Sequence, residues 1–67
     1  MIEVLINGEP QRVSPALTVA QLLSQRALAG KRVAVERNGE IVPKSLHASV
    51  ELCAGDRLEI VVAVGGG

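Results

Sequence analysis

Aromatic residues are absent from this sequence, and it has almost no cysteine and no net charge. None of its 67 residues is Phe, Tyr or Trp, so it lacks the stacking surfaces with which proteins bind single-stranded nucleic acid. Seven basic and seven acidic side chains give a net charge of zero, which provides no excess charge for binding nucleic acid or an anionic membrane. These absences predict that neither nucleic acid nor a membrane is a partner.

The single cysteine and the short apolar runs exclude further classes of protein. One cysteine makes neither an internal disulfide nor a structural zinc site, and no apolar run approaches the about 18 residues of a membrane-spanning helix. A chain of 67 residues forms one small domain with too little mass to enclose a large pocket. We therefore expect a soluble, cytoplasmic protein that binds no metal and is not an enzyme with its own substrate cavity.

The first part of the chain predicts a β-hairpin. Ile2, Val4 and Ile6 alternate with less apolar positions, which is the period of a β-strand. Asn7-Gly8 is a favoured pair for a two-residue hairpin turn, because both positions need a positive φ. A short returning strand is predicted over residues 11–13.

A helix is predicted next. Thr18 precedes Gln21 by three residues, the spacing of a capping box at a helix start. Gly30 is the expected left-handed stop, which gives a helix of about three turns. Its apolar stripe is predicted to comprise Val19, Leu22, Leu23 and Ala27.

The second half predicts a further hairpin and a long final strand. Strands are expected over residues 32–38 and 40–42, joined by a turn at Asn38-Gly39. Residues 44–54 have no clear period and are expected to wrap the surface, with one short strand at Val50 and Leu52. The last strand is predicted over residues 57–64. The sequence thus predicts an α+β domain over residues 1–64, with one helix packed across a mixed sheet of four to five strands.

No arrangement of side chains in this sequence is typical of catalysis. His47 has no Cys or His neighbour at a metal-binding spacing and is predicted to be a solvated surface residue. Cys53 is predicted to be a packed, small apolar side chain, although nearby Arg57 leaves a reactive thiol open as the alternative. Glu36 and Glu40 flank a turn and are expected to face each other as solvated carboxylates.

Three glycines, Gly65, Gly66 and Gly67, follow the last strand. They predict a flexible C-terminal tail, which is either an incidental frayed end or a thin segment that enters the active site of another protein. In the second interpretation the α-carboxylate of Gly67 is the reacting group.

An apolar patch is predicted beside this tail. Val61 and Ala63 are expected on the outer face of the last strand, and Leu5 joins them if the first and last strands are neighbours. Such a patch would dock the partner protein.

Taken together, the motifs resemble those of the ubiquitin-like β-grasp sulfur carriers, and most closely those of the thiamin pathway. The matching segments span the chain and are Asn7-Gly8, Thr18-Val19, Leu22-Leu23, residues 33–38, Ile41-Val42-Pro43, residues 50–53, residues 55–61 and the glycine tail. The family generally requires a terminal Gly-Gly, and the third glycine here has no role that the resemblance supplies.

The resemblance implies a ubiquitin-like β-grasp fold and a protein co-substrate rather than an enzyme. It implies that an E1-like adenylyltransferase (ThiF) adenylates the carboxylate of Gly67 and that this enzyme holds the ATP and Mg²⁺. Gly65 and Gly66 would then lie in the narrow entrance to the active site of that enzyme. A sulfur relay from a cysteine desulfurase then yields a thiocarboxylate, which donates sulfur to thiazole synthase (ThiG). The free carrier is expected to be a monomer that binds no cofactor of its own.

Three alternatives remain open. One is the related small subunit of molybdopterin synthase, although its members tend to be longer and to contain aromatic residues. The others are a ubiquitin-like binding module with an incidental tail and a ubiquitin-like modifier of lysines. An experiment that detects modification of Gly67 distinguishes the sulfur carriers and the lysine modifier, which require it, from the binding module, which does not.

Overall fold

Residues 1–63 are described by a computed structural model, and the predictions for Val64 and for Gly65–Gly67 lie outside these described residues. The described part contains a five-stranded sheet, one α-helix and a short 3₁₀ helix. The strands are β1 Ile2–Ile6, β2 Glu9–Val13, β3 Val33–Arg37, β4 Glu40–Ile41 and β5 Arg57–Val62; α1 is Val19–Gln25 and the 3₁₀ helix is Lys44–Leu46.

The sheet is mixed, with the strand order β2-β1-β5-β3-β4. Strand β5 lies at its centre, parallel to β1 and antiparallel to β3, while β2 and β4 complete the two hairpins at the edges. The predicted α+β class and mixed sheet are confirmed. The last strand of the described residues is therefore the central strand of the sheet.

Both predicted hairpin turns form for the expected reason. Asn7 and Gly8 have φ values of 51° and 84°, and Asn38 and Gly39 have values of 54° and 86°. Asparagine and glycine tolerate this left-handed region better than other residues do. The second strand is longer than predicted because Glu9 and Pro10 also pair with β1.

The start of α1 is as predicted and its end is not. The side chain of Thr18 accepts from the Gln21 N–H at 3.1 Å, and the Gln21 side chain accepts from the Thr18 N–H at 2.9 Å. The helix ends at Gln25 rather than near Gly30, because Ala27 takes a left-handed φ of 60°. The N–H of Leu28 then bonds the carbonyl of Leu23 at 2.8 Å, as in a Schellman motif.

One face of the sheet packs against α1 and the connecting segments. The buried core comprises Val4, Ile6, Val13, Leu17, Val19, Leu22, Leu23, Val35, Val42, Leu52, Leu58 and Ile60. Ala27, predicted to be on the apolar stripe, is exposed because the helix has already ended before it. Alternation along β5 buries Leu58 and Ile60, as expected, whereas Val62 is already partly exposed at the rim of the sheet.

Candidate functional site

The central strand β5 leads toward the predicted glycine tail. Its pairing with β3 runs from Arg37 opposite Leu58 to Val33 opposite Val62. Beyond Val62, the N–H of Ala63 donates to the carbonyl of Arg32 at 2.9 Å. The last described residue is thus held in place by the sheet, and the predicted reacting residue Gly67 lies outside the described residues.

Two of the predicted docking residues lie on the outer face of the sheet at this end. Val61 is 61% exposed and stands opposite the exposed Ala34 of β3, and Ala63 is exposed two residues further on. Because more than half of the Val61 side chain is exposed, its burial contributes little to the stability of the fold. This small apolar surface, formed by Ala34, Val61 and Ala63, is called the exit patch below.

Leu5 does not lie beside the exit patch. Its partner on β5 is Arg57, four residues before Val61, which places it about 13 Å away along the strand. Between these two positions on the outer face, Glu59 stands opposite Glu36. Like charges directly opposite each other destabilise a sheet, so this pair has no structural benefit in the isolated chain.

The carboxylates of Glu36 and Glu40 do not form the expected pair. In the β3–β4 register Glu36 stands opposite Ile41, and Glu40 stands opposite Arg37. The prediction was wrong because the two-residue turn places Glu36 and Glu40 on adjacent positions of opposing strands rather than on directly facing ones.

A surface groove includes the exit-patch residues Ala34, Val61 and Ala63 in its lining, and the prediction of no large pocket did not anticipate it. It has a volume of about 570 Å³ and lies between the start of β3, the segment that follows α1 and residues 44–48. It is an open groove lined in part by Leu23, Leu28, Val33 and three cationic side chains, not an enclosed cavity in the core.

Asp56 organises the turn that precedes β5. Its Oδ2 accepts from Arg37 Nε at 2.8 Å and from the N–H of Cys53 at 2.7 Å, and its Oδ1 accepts from Asn38 Nδ2 at 3.1 Å. Burial alone would raise the pKa of Asp56, but the hydrogen bonds from these three groups outweigh it and hold that pKa below its ordinary value. Asn38 also accepts the N–H of Arg57, so the cluster joins the β3–β4 turn to the start of β5.

Asn7 makes a second connection to β5 that its role in a turn did not predict. Its Oδ1 accepts the N–H of Ile60 at 2.8 Å, and its Nδ2 donates to the carbonyl of Ile60 at 3.3 Å. The side chain therefore continues the pairing of β1 with β5 after β1 has ended. It supports the strand that leads to Ala63.

The predicted surface position of His47 is wrong. This residue is only 8% exposed, and its Nε2 lies 3.1 Å from the carbonyl oxygen of Val42. Its own carbonyl accepts the N–H of Ala20 at 2.8 Å. His47 is therefore a structural residue that fastens the segment after β4 to the start of α1.

The predicted burial of Cys53 is also wrong. The thiol is exposed, and Arg37 donates to it, with Nη2 at 3.8 Å from Sγ. Asp56 draws the Cys53 backbone into the turn, and this directs the side chain outward. No group of three metal-ligating side chains occurs in the described residues 1–63. Within the same range, no helix is long and apolar enough to cross a membrane.

A model of the ThiS family matches residues 4–67 of the chain. The chain belongs to the ThiS family. The sulfur carrier protein ThiS of Bacillus subtilis is 50% identical over 50 residues, covering 75% of this chain and 76% of that protein. The crystal structure of the thiamine biosynthesis protein ThiS from Geobacter metallireducens superposes with a TM-score of 0.83 at 32% identity, over 98% of this chain and all of that one. This likeness confirms the predicted ubiquitin-like β-grasp fold.

Two thiazole synthases that the chain matches are larger proteins. The thiazole synthase of Paramagnetospirillum magneticum is 48% identical over 66 residues, which cover 98% of this chain but 20% of that protein. The thiazole synthase of Magnetococcus marinus matches in the same way at 35% identity. The chain thus spans about a fifth of the length of the thiazole synthases that it matches.

Proposed function

We propose that this chain is a sulfur carrier for the formation of the thiazole of thiamin. The observation that carries the proposal is the family match, which begins at residue 4 and runs through all three glycines to residue 67. The similarity to the Bacillus subtilis sulfur carrier protein supports the same function. In this proposal the chain is a protein co-substrate and not an enzyme.

The proposed client is thiazole synthase. Support comes from the two thiazole synthases in which a region similar to this whole chain forms part of the same polypeptide. Regions that share one polypeptide commonly act in the same process.

The proposed chemistry takes place at the carboxylate of Gly67. A carboxylate oxygen attacks the α-phosphorus of ATP in an E1-like partner, and pyrophosphate leaves. The terminal sulfur of a persulfide derived from cysteine then attacks the acyl carbon and displaces AMP, which gives an acyl disulfide. A thiol of the partner enzymes reduces the S–S bond and becomes part of a disulfide, so that Gly67 is released as a thiocarboxylate with sulfur in place of one oxygen. A carboxylate is a poor electrophile, so it must first be given a leaving group, here AMP. In this proposal the partner enzyme adds the AMP, and the partner therefore holds the ATP and Mg²⁺.

The geometry of β5 suits this function. The strand pairs with neighbours on both sides, and Ala63 is bonded to Arg32, so the tail begins from a fixed point. The four residues from Val64 to Gly67 extend at most about 14 Å beyond Ala63. With so short a reach, the partner must contact the body of the carrier close to Ala63, and the exit patch is the surface that we propose for this contact.

Intact-mass measurement of the full chain with ATP, Mg²⁺, the E1-like enzyme and a sulfur donor tests the proposal. We expect a mass gain of one adenylate, followed by exchange of one oxygen for sulfur. Deletion of Gly66 and Gly67 should abolish both changes and leave the thermal unfolding midpoint unaltered.

The matched control is Cys53→Ala, which removes the only thiol. This variant should be modified like the unaltered chain, because the sulfur is carried by Gly67. Loss of modification in Cys53→Ala, or its persistence in the deletion variant, would contradict the proposal and place the sulfur on Cys53.

A further inference from the structure

The groove beside the exit patch exposes an unpaired part of the sheet. Strand β4 pairs only with Glu36 and Arg37, and the N–H of Val42 then reaches the carbonyl of Val35 at 2.8 Å. No partner strand continues alongside Val33 on that side. The start of β3 is therefore an open edge within the described residues.

The backbone of Val33 faces this open edge. Two hydrogen bonds flank β3: the Ala63 N–H donates to the Arg32 carbonyl, and the Asn38 N–H donates to the Arg57 carbonyl. They show that the backbone groups of even-numbered residues along β3 face β5. Because bonding direction alternates along a strand, the N–H and carbonyl of Val33 point the other way. Neither group has a backbone partner among residues 1–63.

The groove at this edge is apolar at its base and cationic at its rim. Leu23, Leu28 and Val33 contribute apolar side chains, while Lys31, Arg32 and Lys44 are exposed. No acidic side chain in the described part of the chain lines it. Because the whole chain has a net charge of zero, this local excess of positive charge selects an acidic occupant.

We propose that this groove binds an extended, acidic segment of a partner protein, which adds to the sheet at Val33. Backbone groups of the segment would bond Val33, since strand addition at an open edge supplies both donors and acceptors. Alternate apolar side chains of the segment would enter the groove, and its acidic side chains would meet Lys31, Arg32 and Lys44. The bound segment takes no part in the chemistry at Gly67, although the groove shares Ala34, Val61 and Ala63 with the exit patch.

Other occupants fit less well. A second copy that paired edge to edge would bring its own Lys31, Arg32 and Lys44 close to the same three cations, because a two-fold interface pairs like with like. The chain's own residues 64–67 contain no acidic side chain, and the α-carboxylate of Gly67 supplies a single negative charge against three cations at the rim. An acidic partner segment satisfies both the open edge and the charge.

The test uses the full ¹⁵N-labelled chain and a short synthetic peptide of alternating valine and aspartate. We expect amide shifts that centre on Arg32, Val33 and Ala34, and slower hydrogen exchange at the Val33 N–H when the peptide is bound. A matched peptide with lysine in place of aspartate should not bind. Equal binding of both peptides, or unchanged exchange at Val33, would overturn the proposal.

A pair of variants tests the charge. Lys44→Glu should weaken binding of the acidic peptide about fivefold or more, as expected when an attraction becomes a repulsion. Arg12→Glu makes the same change of charge on β2, at the opposite edge of the sheet, and should leave binding unchanged. Thermal unfolding of both variants checks that they are folded. The proposal would be overturned if the two variants weakened binding of the acidic peptide equally. It would also be overturned if self-association of the chain slowed hydrogen exchange at the Val33 N–H in the absence of peptide.

Discussion

At the scale of single residues, Asp56 joins the turn before β5 to Arg37 and Asn38, which lie 19 and 18 residues away in the sequence. It is 5% exposed and accepts hydrogen bonds from Arg37, Asn38 and Cys53. The ion pair with Arg37 is only partly shielded, since the arginine side chain is 32% exposed. Most of the stabilisation therefore comes from satisfying the buried carboxylate and not from the pair of charges alone.

Asp56 should make stability depend on pH in the acid range. Its pKa in the folded chain lies below the ordinary value of 3.8, so its stabilisation is complete above that value and is lost as the pH falls through the lower, folded pKa. We expect Asp56→Asn to lower the free energy of unfolding at neutral pH by about 2 kcal/mol. We also expect the variant to lose less stability on acidification than the unaltered chain.

Urea unfolding at a series of pH values measures both effects. Glu9→Gln, at an exposed carboxylate on β2, removes the same charge and serves as the control. A parallel pH dependence in Asp56→Asn and the unaltered chain would show that Asp56 does not carry it.

At the scale of elements, the parts that local sequence determines were predictable. The strand alternation, the two Asn-Gly turns and the Thr18 capping box each depend on residues a few positions apart. The burial of His47 was not predictable in this way, because the residues around it show no period. Its position is set by contacts with Val42 and with Ala20, which is 27 residues away in the sequence.

The end of α1 shows the same limit and gives a prediction. Ala27 adopts a φ of 60°, where an alanine is strained and a glycine is not. Ala27→Gly should therefore raise the free energy of unfolding by about 0.5–1 kcal/mol, after the greater freedom of glycine in the unfolded chain is subtracted.

Ala29→Gly is the matched control, because Ala29 is exposed in the same connection and has no positive φ. It should leave stability unchanged or lower it. Chemical unfolding of both variants measures the difference, and stabilisation by Ala29→Gly alone would contradict the assigned strain at Ala27.

At the scale of the whole molecule, the resemblance across the sequence identified the family, and the fold adds the arrangement of surfaces around the tail. Leu5 is separated from the exit patch along β5, because its partner on that strand is Arg57. The sequence could not reveal this separation, since it does not give the register between β1 and β5. The groove at Val33 was also missed, because an open strand edge arises only when β4 is shorter than β3. The apolar exit patch and the cationic rim at Lys31, Arg32 and Lys44 thus belong to one continuous groove.

The exit patch gives the last prediction, which concerns recognition of the whole carrier by its activating enzyme. Val61→Glu places a charge on an exposed position, so we expect little change in the thermal unfolding midpoint. If the patch docks the enzyme close to Ala63, the variant should lower kcat/KM for adenylation by about tenfold, since burying an unpaired carboxylate at the contact opposes binding. Leu46→Glu makes a similar change at another exposed apolar side chain, outside the exit patch, and should be adenylated normally. Pyrophosphate release measures the reaction, and equal rates for the two variants would show that the enzyme docks elsewhere on the carrier.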